Sequence, residues 1–520
     1  MSRLKTALQR PVVGSLIVLL IGALAAALLL YATPWGLGLG GDSYYYVSGA
    51  QSLLAGQGFS HPTAGGSTRP ITHFPPLYPA LLSAVASLGS NVLDAARITH
   101  ALLFAANVLA SACFLWTATG RRMWAAVGIS LIALSPAGLS VHSWLLSEPM
   151  FIVAVLLGLW SVMRFILTGS RTMLVAAGIW AGLAALVRYA GIGLLGGMAL
   201  AVLVHKDSRG RAKLTDIGLL VSVGLAGPAL WGLRNVILTG ASTNRSLSLH
   251  VPTMDKLNEG LTTIGGWLIP FHFGEVLALA AAIGVMAATT LGAMSLLVSR
   301  GAPRAAKPVR AAILVTLSFL IAYLTVLSAS LSLADASTPL DSRILLPVFV
   351  VGVILIVCIL HGFSPGLAGR WLFRAILILA LVAASALALK RDLSSIADSR
   401  AFGLGFASPD WRHSQIIRWI DALDPAVPLY SNEVDAVYLL TGRQAFQVPI
   451  RWDPVRAAPR EDYEQQLAAM RERIADQGAA LVLFDTLAEQ QGALPSEAEL
   501  AEGLQTAFRA ADGVVYVDGR

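Results

Sequence analysis

Apolar stretches of about 20 residues recur along most of this 520-residue chain, which leaves it few folds to adopt. A stretch of that length crosses the hydrocarbon core of a bilayer as an α-helix, because lipid offers the backbone no other hydrogen-bond partners. Only 13% of the residues are charged, about half the fraction that is usual in soluble proteins. The pattern predicts a polytopic α-helical membrane protein.

Basic residues between the apolar stretches predict the orientation. Arg3, Lys5 and Arg10 precede the first stretch, which is too long for the core of a signal peptide and is therefore expected to be a membrane helix. The positive-inside rule then places the amino terminus in the cytoplasm, together with every strongly basic loop. About eleven membrane helices satisfy this rule. They are expected near 11–33, 95–117, 123–141, 149–167, 172–188, 190–205, 214–233, 274–298, between 310 and 332, 344–361 and 372–389.

The charges divide the chain into two regions near residue 390. Residues 1–390 contain 10 acidic and 25 basic residues, whereas residues 391–520 contain 20 acidic and 12 basic residues. This lopsided distribution argues against nucleic-acid binding. We expect a transmembrane domain over 1–390, with a long outer loop at 34–94, and an extracytoplasmic soluble domain over 391–520. Strand-like and helical segments alternate in the second region, which predicts a small α/β domain.

Within the first region, most acidic residues map to the predicted outer side of the membrane. Ionisable groups at membrane depth are costly and tend to line cavities or pathways. The residues that lie at or beside outer helix ends, and so predict an outward-opening cavity, are Asp42, His73, Glu148, Arg188, His272 and Arg343.

Each of these residues also has a structural explanation that the sequence leaves open. Asp42 is the second residue of the segment GDSYYYVSGAQSLLAGQGF and would serve as the N-cap of a helix that ends at Gly56 or Gly58. Glu148 would cap the helix that begins at Pro149.

The basic and aromatic candidates have such explanations too. Arg188 would extend toward the interface from a helix end, and Arg343 would pair with Asp341 in a solvated loop. His73 and His272 would be interfacial histidines that bind no metal. The three tyrosines after Ser43 would lie in the interface in either case.

Taken in order, the motifs of the chain resemble those of the C-type (GT-C) glycosyltransferases that use polyprenyl-phosphate sugars. The similar group contains the protein O-mannosyltransferases and the lipid A aminoarabinose transferases. The resemblance rests on GDSYYYVSGAQSLLAGQGF, HFPPLYPALL, LSEPMF, LVRYAG, LDSRILLP and LYSNEVDAVYLLTGR. It implies a GT-C-like fold and an inverting transfer of a hexosyl or pentosyl group. The donor would be a polyprenyl-phosphate-linked sugar among the membrane lipids, and the acceptor a glycan, lipid or protein outside the plasma (inner) membrane.

The resemblance also implies roles for particular residues. Asp42 would be the catalytic base, because the acceptor hydroxyl loses a proton as it attacks. Arg343, and less directly Arg188, would bind the donor phosphate. The expected substrate-binding residues are Glu148, Tyr44, Tyr45, His73 and Tyr78. No cofactor is implied; a divalent metal held by His73 with His272 or an acidic neighbour is the alternative.

Two departures from the group leave the acceptor open. His73 and Phe74 stand where the aminoarabinose transferases carry an acidic–basic pair. Ser43 stands where protein O-mannosyltransferases tend to carry a second acidic residue. An outward-facing secondary transporter or lipid flippase is the alternative function, although the sequence has no evident internal repeat. A non-catalytic assembly subunit is a third reading.

Overall fold

The computed structural model describes residues 11–205, 210–243, 249, 251–269, 274–298, 307–363, 387, 389–490 and 492–519. His272 and most of the predicted eleventh helix lie outside these residues. In chain order the elements up to residue 363 are α1 (Pro11–Ala32), α2 (Gly41–Leu54), β1 (Ser60–Pro62), β2 (Thr68–Pro70), α3 (Leu77–Ala86), α4 (Val92–Thr119), α5 (Arg122–Ala133), α6 (Pro136–His142), α7 (Glu148–Thr168), α8 (Arg171–Val187), α9 (Ile192–Val204), α10 (Gly210–Thr239), α11 (Met254–Leu268), α12 (Glu275–Val298), α13 (Lys307–Leu333) and α14 (Leu346–Phe363).

The first ten predicted membrane helices all correspond to helices of the structure. By length and composition, seven helices among the described residues can cross a membrane: α1, α4, α7, α10, α12, α13 and α14. Helices α5 and α6 together form the predicted third span, which is bent by 60°. The bend follows from Pro136, because a proline drives the preceding residue out of the helical region. Ser135 accordingly has an extended backbone, with φ −95° and ψ 129°.

The predicted fifth and sixth helices are present but short. They are α8 with 17 residues and α9 with 13, joined by a single 3₁₀ turn at Tyr189–Gly191. In place of two full-length spans, the structure therefore has a compact helical hairpin. The chain turns directly after Arg188, so this residue lies at the end of the bundle.

The bundle has a central and a peripheral set of helices. The most apolar windows of α4 and α7 are each 61% buried within the protein, whereas that of α10 is only 11% buried. The exposed side chains of α10 are themselves apolar; Leu230 is 68% and Ile237 73% exposed. An exposed apolar face on a helix of 30 residues suits contact with lipid. The core of the domain therefore lies around α4 and α7.

The predicted outer loop 34–94 is a folded layer at one end of the bundle. Helix α2 and the antiparallel pair β1–β2 are followed by α3, which begins at the double proline. The sequence PLYPALLSAVASLGS over 76–90 is too short to span a bilayer comfortably and predicts a helix in the membrane interface. It is helical, and its Tyr78 and Leu82 are fully buried against the domain core.

The carboxy-terminal region forms the predicted α/β domain. Its elements are α15 (Pro409–Arg412), α16 (Gln415–Ala422), β3 (Leu429–Ser431), α17 (Val434–Thr441), β4 (Phe446–Gln447), β5 (Trp452–Asp453), β6 (Ala458–Pro459), α18 (Tyr463–Gln477), β7 (Ala480–Phe484), α19 (Glu497–Leu500), β8 (Leu504–Ala510) and β9 (Gly513–Asp518). The five-stranded sheet has the order β4-β3-β7-β9-β8. Strand β3 runs parallel to β4 and β7, and β9 runs antiparallel to β7 and β8.

Alternate residues of strand β7 build two separate cores. Leu481 and Leu483 pack with α18 on one face, whereas Val482 and Phe484 pack with α16 on the other. This is the period of two that an extended strand imposes. A sheet that is buried on both faces explains why the segment AALVLFD is apolar throughout.

The α/β domain rests directly on the folded outer layer. The Arg412 guanidinium donates a hydrogen bond to the carbonyl of Trp35 over 2.6 Å. Leu39 forms a parallel bridge with Gly405. The Tyr438 hydroxyl donates to Oε1 of Gln51 over 2.7 Å. These contacts place α17 against α2.

Candidate active site

Four of the predicted site residues meet in one ion cluster at the end of the bundle. Nε of Arg343 lies 2.5 Å from Oε1 of Glu148, and Nη1 of Arg188 lies 2.6 Å from the same oxygen. Nη2 of Arg343 pairs with Oδ2 of Asp42. These residues come from α2, the start of α7, the end of α8 and the turn before α14. Two cations and two carboxylates thus balance one another.

The local structure decides between the explanations that the sequence left open for Asp42 and Arg343. The N-cap of α2 is Gly40, whose N–H donates to Ser43 Oγ over 3.1 Å, so Asp42 is free to reach Arg343. Asp341 accepts hydrogen bonds from the backbone N–H groups of Arg343 and Ile344, at 3.0 and 3.1 Å. Asp341 therefore shapes the turn, while the Arg343 guanidinium points into the cluster.

Helix α11, which lies between α10 and α12 in the chain, supports the segment that leads to Arg343. Oε1 of Glu259 accepts a hydrogen bond from the N–H of Leu340 over 2.9 Å, and Thr263 Oγ1 donates to the Leu340 carbonyl over 2.8 Å. Trp267 Nε1 donates to Ser342 Oγ over 3.1 Å. The position of Arg343 therefore depends on α11 as well as on its own turn.

Exposure differs sharply within the cluster. The side chain of Glu148 is 2% exposed, that of Arg188 18%, and those of Arg343 and Asp42 26% and 29%. Oε2 of Glu148 is buried and has no hydrogen-bond partner among the described residues. Glu148 therefore lies beneath the two arginines as their shared counter-charge. Asp42 and Arg343 are the groups that a ligand reaches first.

The predicted tyrosines Tyr44 and Tyr45 line the layer between the cluster and the α/β domain. The Tyr44 hydroxyl donates to the carbonyl of Pro62 over 2.9 Å, and the Tyr44 ring lies 5.0 Å from that of Tyr438. The ring of Tyr45 packs edge-on against that of His73, with 4.3 Å between centroids. Burial and the charges of Asp435 and Asp42 raise the pKa of Tyr45 to about 12, so its hydroxyl is neutral at physiological pH.

Tyr78 lies below this layer and takes part in a buried network that the sequence did not reveal. Its hydroxyl is 2.6 Å from Nε2 of His100, whose Nδ1 is 2.8 Å from the carbonyl of His142. A carbonyl only accepts, so Nδ1 of His100 carries the proton and Nε2 accepts from Tyr78. Tyr78 is fully buried and its hydroxyl is bonded to His100. The side chain therefore exposes no surface for the substrate contact that the sequence predicts. Histidines inside apolar stretches were the available signal for this network.

The α/β domain contributes a further acidic residue, Asp435, that sequence reasoning did not single out. It lies half-buried in the first turn of α17. Burial and the charges of Glu433 and Asp42 raise its pKa to about 7. The residue belongs to the quoted motif LYSNEVDAVYLLTGR, which was the only signal for it.

Metal binding stays a prediction. In the part of the chain that the structure describes, no group of three or more His, Cys, Asp and Glu side chains is arranged to hold a metal ion. His73 packs against Tyr45, and His272 lies outside the described residues.

Fold and site together define a multi-pass α-helical membrane protein with an ion cluster beneath a soluble α/β domain. Comparison with solved structures gives the fold. The arabinofuranosyltransferase AftD from Mycobacteria superposes with a TM-score of 0.55 at 16% identity, over 97% of this chain and 41% of that chain. The oligosaccharyltransferase of Archaeoglobus fulgidus in its apo form gives 0.52 at 14% identity, over 97% and 74%. ArnT from Cupriavidus metallidurans bound to undecaprenyl phosphate gives 0.48 at 17% identity, over 96% and 97%.

The predicted GT-C-like fold is thereby confirmed, because AftD and the oligosaccharyltransferase are membrane glycosyltransferases of that fold. No protein-family model matches the sequence, and a search of curated proteins gives no match. At these identities the likeness establishes the fold and nothing more specific.

Proposed function

We propose that this protein is an inverting GT-C glycosyltransferase that moves a sugar from a polyprenyl-phosphate donor to an acceptor outside the plasma membrane. The observation that carries the proposal is the cluster in which an accessible carboxylate, Asp42, meets Arg343, while Arg188 and Glu148 lie behind them. Its setting in a fold shared with an arabinofuranosyltransferase and an oligosaccharyltransferase supports glycosyl transfer. The amino terminus would be cytoplasmic and the α/β domain extracytoplasmic, as the basic loops predict.

The arginines suit a phosphate group. Arg343 pairs with Glu148 through Nε and with Asp42 through Nη2. A guanidinium has five N–H donors, so further N–H groups of Arg343 remain for phosphate oxygens. A guanidinium binds phosphate through paired hydrogen bonds in a fixed plane. Arg188 adds a second positive charge through the shared Glu148 oxygen. The lipid phosphate of the donor would therefore bind beside Asp42, next to Arg343 and Arg188.

The reaction needs one base and one charge-stabilising group. The acceptor oxygen forms a bond to the anomeric carbon and its proton passes to the Asp42 carboxylate. The bond between that carbon and the phosphate oxygen breaks, and its electron pair stays on the phosphate. Attack opposite to the leaving phosphate inverts the configuration. The negative charge that develops on the phosphate is stabilised by Arg343 and Arg188.

Proton transfer and charge development reinforce one another in this arrangement. The resting cluster is neutral, with two arginines against Asp42 and Glu148. When Asp42 takes up the proton, the cluster gains one net positive charge at the moment when the leaving phosphate gains negative charge. The electrostatic stabilisation is therefore larger in the transition state than in the ground state, which is what accelerates a reaction.

The test is consumption of a lipid-linked sugar by purified protein. Wild type, Asp42→Asn and Asp255→Asn are incubated with a panel of polyprenyl-phosphate hexoses and pentoses and with crude envelope acceptors, and the lipids are followed by mass spectrometry. Asp255 is the matched control, an exposed aspartate at the start of α11. We expect wild type and Asp255→Asn to consume one donor and Asp42→Asn to consume none. Uptake of a substrate into proteoliposomes without donor consumption would instead establish a transporter or flippase.

A further inference from the structure

The α/β domain places polar groups directly beside the start of α2, where Asp42 lies. Helix α17 packs on α2: Tyr438 donates to Gln51 over 2.7 Å, and an added Cβ on Gly41 would lie 3.1 Å from Oδ2 of Asp435. Gly41 immediately precedes Asp42, so the two aspartates face the same space from opposite domains. The charge of Asp42 is one of the causes of the raised pKa of Asp435.

Asp435 and its neighbour Glu433 differ in how they are held. Glu433 Oε1 accepts hydrogen bonds from Thr486 Oγ1 over 2.7 Å and from Gln490 Nε2 over 2.9 Å, so its carboxylate is fixed within the α/β domain. Among the described residues, no side-chain donor forms a hydrogen bond with Asp435. Its electrostatic partners are the like charges Glu433 and Asp42. A carboxylate in that position is stabilised when a ligand donates a hydrogen bond to it.

A second side chain at this interface also has unused hydrogen-bonding capacity. Gln444 Oε1 lies 3.4 Å from the Tyr44 hydroxyl oxygen, whose one proton goes to the Pro62 carbonyl, while Nε2 of Gln444 is buried without a hydrogen-bond partner in the described part of the chain. A buried polar nitrogen that lacks a partner costs about 1–3 kcal/mol and is rare in folded proteins. The charge of Asp435 also acts on Tyr44, so Gln444 and Asp435 approach the same ring.

The negative charges around Asp42 and Asp435 determine which acceptors can bind there. Asp42, Asp435 and Glu433 carry carboxylates at the starts of α2 and α17, and the two cluster arginines are already paired with Asp42 and Glu148. Arg443 follows α17, but its guanidinium already donates hydrogen bonds to backbone carbonyls, for example to that of Ile420 over 2.8 Å. An anionic acceptor would be repelled here, whereas hydroxyl groups find both an acceptor and a donor.

We propose that Asp435 and Gln444 form the acceptor-recognition site of this enzyme and that the acceptor is an uncharged glycan. This inference rests on the proposed transfer function and specifies its second substrate. The Asp435 carboxylate accepts a hydrogen bond from a hydroxyl next to the one that Asp42 deprotonates, and Gln444 Nε2 donates to another glycan oxygen. The half-buried rings of Tyr45 and Tyr438 provide apolar surface for the sugar faces.

The first test measures binding without a donor. Saturation-transfer NMR of a neutral oligosaccharide and of a uronic-acid oligosaccharide of equal length is recorded with the full-length protein in nanodiscs. Asp435→Asn keeps the shape of the side chain, and Asp476→Asn, an exposed aspartate on α18, is the matched control. We expect wild type and Asp476→Asn to bind the neutral sugar alone and Asp435→Asn to bind it at least about tenfold more weakly. Equal binding by all three proteins, or preference for the uronic acid, would overturn the proposal.

The second test uses the donor that the panel identifies. Asp435→Asn and Gln444→Glu should raise the acceptor KM about tenfold or more and leave the donor KM as in wild type, because both residues lie on the acceptor side. A rise of both KM values together would refute an acceptor role. If no donor is consumed while the neutral glycan binds through Asp435, the recognition site stands and the transfer reaction falls.

Discussion

Glu148 gives the sharpest test of the ion cluster. Its Oε1 lies 2.6 Å from Nη1 of Arg188 and 2.5 Å from Nε of Arg343. Its Oε2 has no hydrogen-bond partner within the described residues. Glu148→Gln therefore changes little in shape and places the new NH₂ group where no acceptor waits. What it removes is the one negative charge between two largely buried guanidinium groups.

The cost follows from that geometry. Removing one partner of a buried ion pair costs about 3–5 kcal/mol, because the other charge stays buried and uncompensated. Here one carboxylate serves two arginines and only Asp42 remains to balance them, so we expect the upper part of that range. The variant should melt several degrees below wild type. Glu275→Gln is the matched control, since Glu275 also begins a membrane helix but is exposed.

A lipid phosphate should reverse much of this loss. Undecaprenyl phosphate supplies the negative charge that the variant lacks, and a ligand at 100 times its Kd stabilises a protein by about 2.7 kcal/mol. The assay is a thermal melt of wild type, Glu148→Gln and Glu275→Gln with and without this lipid. We expect the lipid to raise the melting temperature of Glu148→Gln more than that of the other two. An unaltered melting temperature in Glu148→Gln, or stabilisation of wild type alone, would refute the role of Glu148 as a counter-charge.

Three further outcomes are expected. Arg343→Lys keeps the charge but loses the planar fork, so single-turnover donor consumption should fall about 100-fold while the protein stays folded; an unchanged rate would contradict phosphate binding by the fork. Tyr78→Phe removes the hydrogen-bond donor to His100, so thermal stability should fall by about 1–3 kcal/mol with an unchanged donor KM; the opposite result would restore Tyr78 as a substrate contact. Asp435→Asn should gain stability over wild type between pH 4 and 7 and keep that gain above pH 7. The native pKa of about 7 lies above the unfolded value, so ionisation costs the native state over that range; melts that differ equally at pH 4 and pH 8 would contradict this.

The membrane helices were predictable because lipid offers no hydrogen-bond partners, so a backbone that crosses it bonds to itself as a helix. Each of the first ten predicted helices is present. The sequence also predicts that Gly442 and Gly478 end helices, and both have positive φ, 73° and 62°, at the ends of α17 and α18. The bend at Ser135 was readable from Pro136 but was not predicted, because the apolar pattern continues across it. Strand β8 has no clear strand pattern in the sequence because it is a partly exposed edge strand that pairs only with β9 in its sheet.

The site was predictable in its parts and not in its arrangement. Costly charges at helix ends pointed to Asp42, Glu148, Arg188 and Arg343, but only the packing of four separate segments shows that Glu148 lies beneath the arginines. Asp435 shows the same limit. Nothing near it in sequence marks it as a partner of α2, since that contact exists only once the α/β domain rests on the outer layer.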